Sequence, residues 1–281
     1  MNYLSSLNYG NKILKSNNII SYKIDSELLL ARALNKSREE ILTNLNFTLD
    51  QKEFCTFKRL LIRRKQKEPL AYIFNQKDFW KYNFLVNKDV LIPRPETEII
   101  VEEVLKLTNY NSSKLFLDVG TGSGCLILSI LKERPHLLGT AIDISKKALK
   151  IAINNAKMHH LENKIKFINI DIDKFNNNKY DFIVSNPPYI KKIDLMRLDK
   201  DVRCYEPLLA LNGGLDGLRN IEKLITKSKR LLKNNGKLIF EMGNNQVTDV
   251  VKMLNKNKFY VNEVCEDIQS IPRVVISTKL F

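Results

Sequence analysis

A strand that runs straight into alternating glycines and then into an apolar helix most narrows what this chain can fold into. Lys114-Leu115-Phe116-Leu117-Asp118-Val119 reads as a buried strand, Gly120-Thr121-Gly122-Ser123-Gly124 as a loop, and Cys125 to Leu131 as a helix. That order is a βα unit of an open parallel sheet, where ligands bind beyond the carboxyl ends of the strands. Glycines there let the backbone approach a bound nucleoside and adopt φ values closed to other residues. The G-x-G-x-G spacing is tighter than the G-x-G-x-x-G of a pyrophosphate cradle, and no Lys-Ser/Thr pair follows as a P-loop needs. A nucleoside cofactor without phosphates is the expectation.

Further strands bring polar groups to the same edge. Gly139-Thr140-Ala141-Ile142 ends in Asp143, about 20 residues past the glycine loop, where a ribose diol would be held. Asp143 can instead, or as well, serve as the N-cap of the helix running through Ala148 and Ala152. Ile165 to Ile170 delivers Asp171, placed to accept from an exocyclic adenine amine, with Asp173 a competitor for that role. Tyr180 to Ser185 then ends in Asn186-Pro187-Pro188-Tyr189. The Asn186 side-chain carbonyl and the Pro187 backbone carbonyl are two acceptors that can converge on one planar nitrogen carrying two hydrogens. Such a nitrogen belongs to a carboxamide or an aromatic amine. Accepting both N–H bonds fixes it in line with an electrophile and stabilises the positive charge growing on it. Tyr189 would lie over the planar group. No strong base is required, and no His or Cys is read as one. Without that company the tetrad is a stiff turn with Asn as its initiator.

The set resembles an S-adenosylmethionine-dependent N-methyltransferase of the Rossmann-like class, and other motifs narrow the likeness. They are Val90-Leu91-Ile92-Pro93-Arg94-Pro95-Glu96-Thr97-Glu98, the glycine loop through Cys125, Ser185 to Ile190, and Tyr205-Glu206-Pro207 before Gly213-Gly214-Leu215-Asp216-Gly217-Leu218. Through nearly its whole length the chain is similar to the HemK-type peptide chain release factor N5-glutamine methyltransferases. The resemblance implies an α/β fold: a Rossmann-like seven-stranded class I SAM-dependent methyltransferase domain preceded by a small helical bundle. It implies S-adenosyl-L-methionine as cofactor. As substrate it implies the glutamine of the Gly-Gly-Gln motif of class I release factors, methylated on N5 with an effect on translation termination. Asn186, Pro187 and Tyr189 would be catalytic. Gly120, Thr121, Gly122, Ser123, Gly124, Asp143, Asp171 and Asn186 would hold the cofactor, and Asn186, Pro187, Pro188, Tyr189, Arg94 and Glu96 the substrate. A sibling family methylates a ribosomal-protein glutamine and differs after the Pro-Arg pair; Pro95-Glu96-Thr97-Glu98 favours the release-factor branch. Lys67 and Asn83, with Lys81 nearby, stand in regions where the family usually shows glycine. Ile172 replaces an aromatic residue that some members place against the adenine, so only apolar contact is expected of it.

Along the chain, residues 1–77 read as a helical domain, the release-factor-docking part by resemblance and otherwise a stabilising cap. Its signals are apolar periodicity from Tyr3 and from Ile24, a capping box at Ser37 and Glu40, and Thr48 or Asp50 as the start of a helix through Phe57 and Leu61. Residues 78–95 read as a β-hairpin linker with its polar turn at Asn87-Lys88-Asp89, and 96–281 as the methyltransferase domain. Pro95 and its following acids are also ordinary helix-start chemistry, which accounts for Glu96 and Glu98 without a substrate. Residues 190–217 read as a lid or substrate-binding loop, with Arg203, Tyr205 and Glu206 as contact candidates.

A formal charge of +15 raises nucleic acid as a partner. The rival reading is an adenine-N6 methyltransferase of DNA or RNA, because that exocyclic amine presents the same two hydrogens. No separate target-recognition domain is visible for extruding a base, and the lysines are spread along the chain as a solvated face would have them. The densest basic run is Lys58 to Lys67. Four cysteines without C-x-x-C spacing and three histidines without an H-x-x-x-H pair predict neither a metal nor a disulfide framework. With no leader and no apolar run near about 18 residues, a cytoplasmic protein away from membranes is expected. Its partner would be a class I release factor, with no obligatory nucleic acid.

Overall fold

Side-chain caps mark where three of the first four helices begin. Asn2 accepts from the Ser5 N–H at the start of α1 (Tyr3–Ser16), and α2 (Tyr22–Leu34) ends on Asn35 in the left-handed conformation. Ser37 and Glu40 close the capping box on α3 (Arg38–Thr43). Of the two candidate starts for α4 (Gln51–Lys65) the chain uses Asp50, which accepts from the Glu53 N–H at 2.7 Å while Glu53 accepts from the Asp50 N–H at 2.8 Å. After the short α5 (Leu70–Phe74), the apolar stripes of these helices meet in a core that includes Leu14, Leu29, Ile41, Phe57 and Leu61.

This computed structural model describes residues 1–177 and 179–280, which fall into two units; Asn178 and Phe281, the latter ending the expected catalytic domain, lie outside the described residues. The first unit is Met1–Asn75 with Asp199–Tyr205, and the second is Gln76–Leu198 with Glu206–Phe281. Much of the basic run at 58–67 is engaged inside the first unit. Arg63 pairs with Glu68, Arg64 with the buried Asp25 at 2.6 Å, and Lys58 lies over the Phe54 ring.

The second unit opens with a hairpin of β1 (Gln76–Phe79) and β2 (Tyr82–Leu85), two residues ahead of the boundary read from the sequence. Its turn is Trp80-Lys81 and not Asn87-Lys88-Asp89, which forms a separate turn closed by the Val90 N–H on the Asn87 carbonyl. Trp80 takes a φ of +57°, disfavoured for a bulky residue. Tertiary partners offset the strain: its N–H donates to Glu98 at 2.8 Å and its indole N–H to Glu133 at 2.9 Å.

A 3-10 turn at Pro95–Thr97 leads into α6 (Glu98–Lys106). Then come β3 (Leu115–Val119), α7 (Cys125–Glu133), β4 (Leu138–Asp143), α8 (Lys146–Met158), β5 (Ile165–Asn169), β6 (Tyr180–Ser185) and α9 (Lys200–Tyr205). The chain closes with α10 (Arg219–Leu231), β7 (Leu232–Glu241), α11 (Val247–Lys256), β8 (Phe259–Glu266) and β9 (Pro272–Lys279). Seven strands form one sheet in the order β5-β4-β3-β6-β7-β9-β8, with β9 antiparallel to both neighbours and the rest parallel. Apolar clusters cover both faces, as a mostly parallel sheet requires. The strand order reverses between β3 and β6, which places a crevice beyond their carboxyl ends.

The connection at 190–217 is stapled rather than open. The Ile190 N–H donates to the Leu211 carbonyl, the Gly213 N–H returns to Ile190 at 2.8 Å, and the Lys192 N–H donates to Gly214. Its middle, Asp199–Tyr205, belongs to the first unit, where Asp201 lies 3.6 Å from Arg64 and the Tyr205 hydroxyl donates to the Gln66 carbonyl at 2.9 Å. Among the described residues no helix is long and apolar enough to cross a membrane.

Candidate active site

The crevice holds a cavity of about 580 Å³, lined by Gly120 to Ser123, Asp143, Asp171, Asn186 to Pro188 and Arg94, with Asp118, Thr97, Cys125 and Ile172 also on its wall. Three expected site residues are not on that wall. Gly124 starts α7 with φ +81°, and a Cβ there would sit 3.2 Å from the Ala152 Cβ, so its role is close packing of α7 on α8. Glu96 stands on the 3-10 turn before α6. Tyr189, expected over the planar group, packs against the second apolar cluster because its hydroxyl donates to the buried Glu241 at 2.8 Å.

The glycine loop is held from beneath. Gly120 and Thr121 donate to the Ile142 carbonyl, and the Gly122 N–H donates to Asp143 Oδ2 at 3.0 Å. Asp143 also accepts from the Ser145 N–H, while Ser145 itself caps α8. The N-cap alternative for Asp143 is therefore not what the chain uses. A Cβ at Gly120 would meet nothing within 4 Å, so the loop's backbone faces open space. Asn155, fully buried, clamps the loop to the hairpin: its Nδ2 donates to the Ser123 and Leu85 carbonyls and its Oδ1 accepts from the Leu85 N–H. Asp171 accepts from the Asp173 N–H and lines the cavity, whereas Asp173 pairs with Lys223 at 2.7 Å and does not.

Asp118, at the end of β3, is 1% exposed and accepts from the Thr121 hydroxyl at 2.7 Å. Burial, with the Asp143 charge adding to it, pushes its carboxyl up to about 7. These residues fit S-adenosylmethionine: acids for a diol, a base and a cation, and a glycine backbone with room against it. An ionised Asp118 favours a cationic ligand, so affinity should weaken as pH falls through its titration. Calorimetry should show roughly tenfold weaker cofactor binding at about pH 6 than at about pH 8. Asp118→Asn should flatten that dependence, and a flat wild-type profile would refute the assignment.

The tetrad is tied to both sides. Ser185 donates to the Val119 carbonyl, joining the ends of β6 and β3. Asn186 Nδ2 donates to Thr97 Oγ1 at 2.9 Å, and Thr97 Oγ1 donates to Glu241 Oε2 at 2.5 Å. Glu241 is 1% exposed, and burial raises its carboxyl above the usual range. Arg94 pairs with Glu206 at 2.6 Å, and Glu206 also accepts from the Ile92 N–H. Of the loop candidates only Glu206 belongs to this unit; Arg203 and Tyr205 belong to the first, and the wall is made instead by Pro207 to Ala210. Glu103, Glu263 and Cys265, which do not line the cavity, bring ligand atoms within 4.8 Å of one another. Lys106 already supplies a cation 2.7 Å from Glu103, and burial pushes the Cys265 thiol up to about 12.

Residues 110–278 match a family described as "Methyltransferase domain", and residues 5–74 match the "PrmC N-terminal domain". The release factor glutamine methyltransferase of Clostridium acetobutylicum is 35% identical over 95% of this chain and 95% of its own length. That of Caulobacter vibrioides is 37% identical over 95% and 92%. A bifunctional methyltransferase of Rickettsia typhi is 35% identical over 96% of this chain but only 56% of its own length, so the chain spans about half of that protein. In fold, a methyltransferase from Pyrococcus furiosus covers 80% of this chain and 98% of its own, with a TM-score of 0.55 and 16% identity. The glycine loop, the Asn-Pro-Pro-Tyr tetrad and these near full-length relatives lead to one assignment: the chain belongs to the release factor glutamine methyltransferase family.

Proposed function

We propose that the protein transfers the methyl group of S-adenosyl-L-methionine to the side-chain nitrogen, N5, of the glutamine in the Gly-Gly-Gln motif of class I release factors, in the cytoplasm. The observation that carries the reading is the Asn186 amide. Its Nδ2 is engaged by Thr97, and Oδ1 accepts from no described residue on a cavity wall shared with the glycine loop and Asp143. When bound, the cofactor supplies a methyl group activated by a sulfonium. Asn186 Oδ1 and the Pro187 carbonyl accept the two N–H bonds of the substrate amide, orient its nitrogen for attack and stabilise the charge that grows on it. The proton leaves late, to solvent water, because the N-methylated amide that still carries both hydrogens is a cation and far more acidic than the parent amide. Cys125 does line the cavity, contrary to the sequence reading, but burial pushes its thiol up to about 12, so it is no base at neutral pH. The helical unit is the part that docks the release factor, and no nucleic acid is needed.

The test is labelled methyl transfer to a purified class I release factor, to a version with Gln→Ala in its Gly-Gly-Gln loop, and to duplex DNA. Label on the wild-type factor alone is expected; label on DNA alone would replace this reading with adenine methylation.

A further inference from the structure

We infer that Thr97 and Glu241 are positioning residues that dictate which end of the Asn186 amide meets the substrate, an inference that rests on the role given to Asn186 above. An asparagine amide has nearly the same shape either way round, so packing alone does not choose its orientation. Hydrogen-bond polarity does. Glu241 receives two hydroxyls, from Thr97 on one oxygen and Tyr189 on the other, so both of its oxygens act as acceptors here. Thr97 has one hydrogen and commits it to Glu241, so towards Asn186 its oxygen can only accept. The Asn186 group that can donate is Nδ2, at 2.9 Å, and Oδ1 is therefore the end left for a ligand. A flipped amide would present two hydrogens to a substrate nitrogen that already carries two. One buried carboxylate thus joins both ends of the tetrad and sets the sign of its binding group.

Thr97→Val keeps the shape and removes the hydroxyl, Thr97→Ser restores it, and Glu241→Gln removes the strict acceptor. Single-turnover transfer to the release factor, cofactor affinity and melting temperature are measured on each. Thr97→Val should slow transfer on the order of 10²-fold. Its cofactor affinity should stay within about threefold of wild type, and Thr97→Ser should recover most of the rate. Glu241→Gln, which can donate or accept, should be slowed by about tenfold or more. Wild-type rates in Thr97→Val, no rescue by serine, or a loss of rate matched by equal losses of cofactor affinity and melting temperature would overturn the inference. If the wild-type protein itself leaves the release factor unlabelled, the functional reading fails. The orientation is then decided by the Asn186 side-chain amide signal in ¹⁵N NMR, which should move in Thr97→Val and, if unmoved, defeats the inference as well.

Discussion

Asn186→Ala is expected to slow single-turnover methyl transfer by about 10³-fold while the cofactor dissociation constant stays within about threefold. The side chain lies on the cavity wall, its Nδ2 bound to Thr97 2.9 Å away, and no bond of the glycine loop depends on it. Removing it deletes one of two preorganised acceptors for a nitrogen that becomes positive during attack. The surviving Pro187 carbonyl accepts one N–H and leaves the amide free to swing. Asp143→Ala should behave in the opposite sense. It releases the Gly122 and Ser145 N–H groups, so cofactor affinity should fall by about 10- to 100-fold while the rate at saturating cofactor largely survives. Equal effects of the two variants on affinity and rate would mean that the cavity is not divided between cofactor and substrate as described.

Gly217→Ala is expected to cost about 3 kcal/mol and to lower the melting temperature by about 10 °C. Gly217 has φ +81°, and a Cβ there would press on the Tyr189 carbonyl oxygen and come within 2.6 Å of Gln246 Nε2. Those two atoms are hydrogen-bonded to each other at 3.2 Å, so the methyl group would enter that contact. Gly213 is equally confined, with Tyr189 backbone atoms 2.8 Å from its would-be Cβ. The Tyr189 backbone atoms that both glycines face cannot yield by rotating a side chain. The damage should reach the tetrad, so the surviving folded enzyme should also transfer methyl more slowly. Leu215→Ala in the same turn serves as the control, since Leu215 is 85% exposed and should change neither quantity. A Gly217→Ala melt equal to wild type would show that the turn does not bear on Tyr189.

What the sequence reveals tracks how local each interaction is. The β3 strand, the glycine loop and the Ser37 cap depend on residues a few positions apart and are legible without a structure, and Asp50 is one of two candidates read for its cap. Asp143 is legible as a strand-end acid, though its two bonds to Gly122 and Ser145 are not. Thr97 and Glu241 are separated by 144 positions, and each has a bland local explanation, one near a helix start and the other at the end of a strand. No spacing rule joins them. The hairpin turn is misread for a related reason: Asn87-Lys88-Asp89 has turn composition, whereas Trp80 is held left-handed by Glu98 and Glu133 from other elements. The Gly213 to Gly217 motif is visible as a pattern, but its reason is the Tyr189 backbone lying against it.

The division of the first unit into Met1–Asn75 and Asp199–Tyr205 bears on the order in which the chain leaves the ribosome. The apolar core of that unit is built from residues between Tyr3 and Phe74, so it can pack while β3 is still unmade. Its last helical turns arrive much later, after β6, and are captured through Arg64 and the Gln66 carbonyl. Pro207 to Ala210, on the cavity wall, follow immediately in the chain. That part of the cavity wall is thus made after the glycine loop and the tetrad, and a nascent chain stopped at 198 would carry both without it.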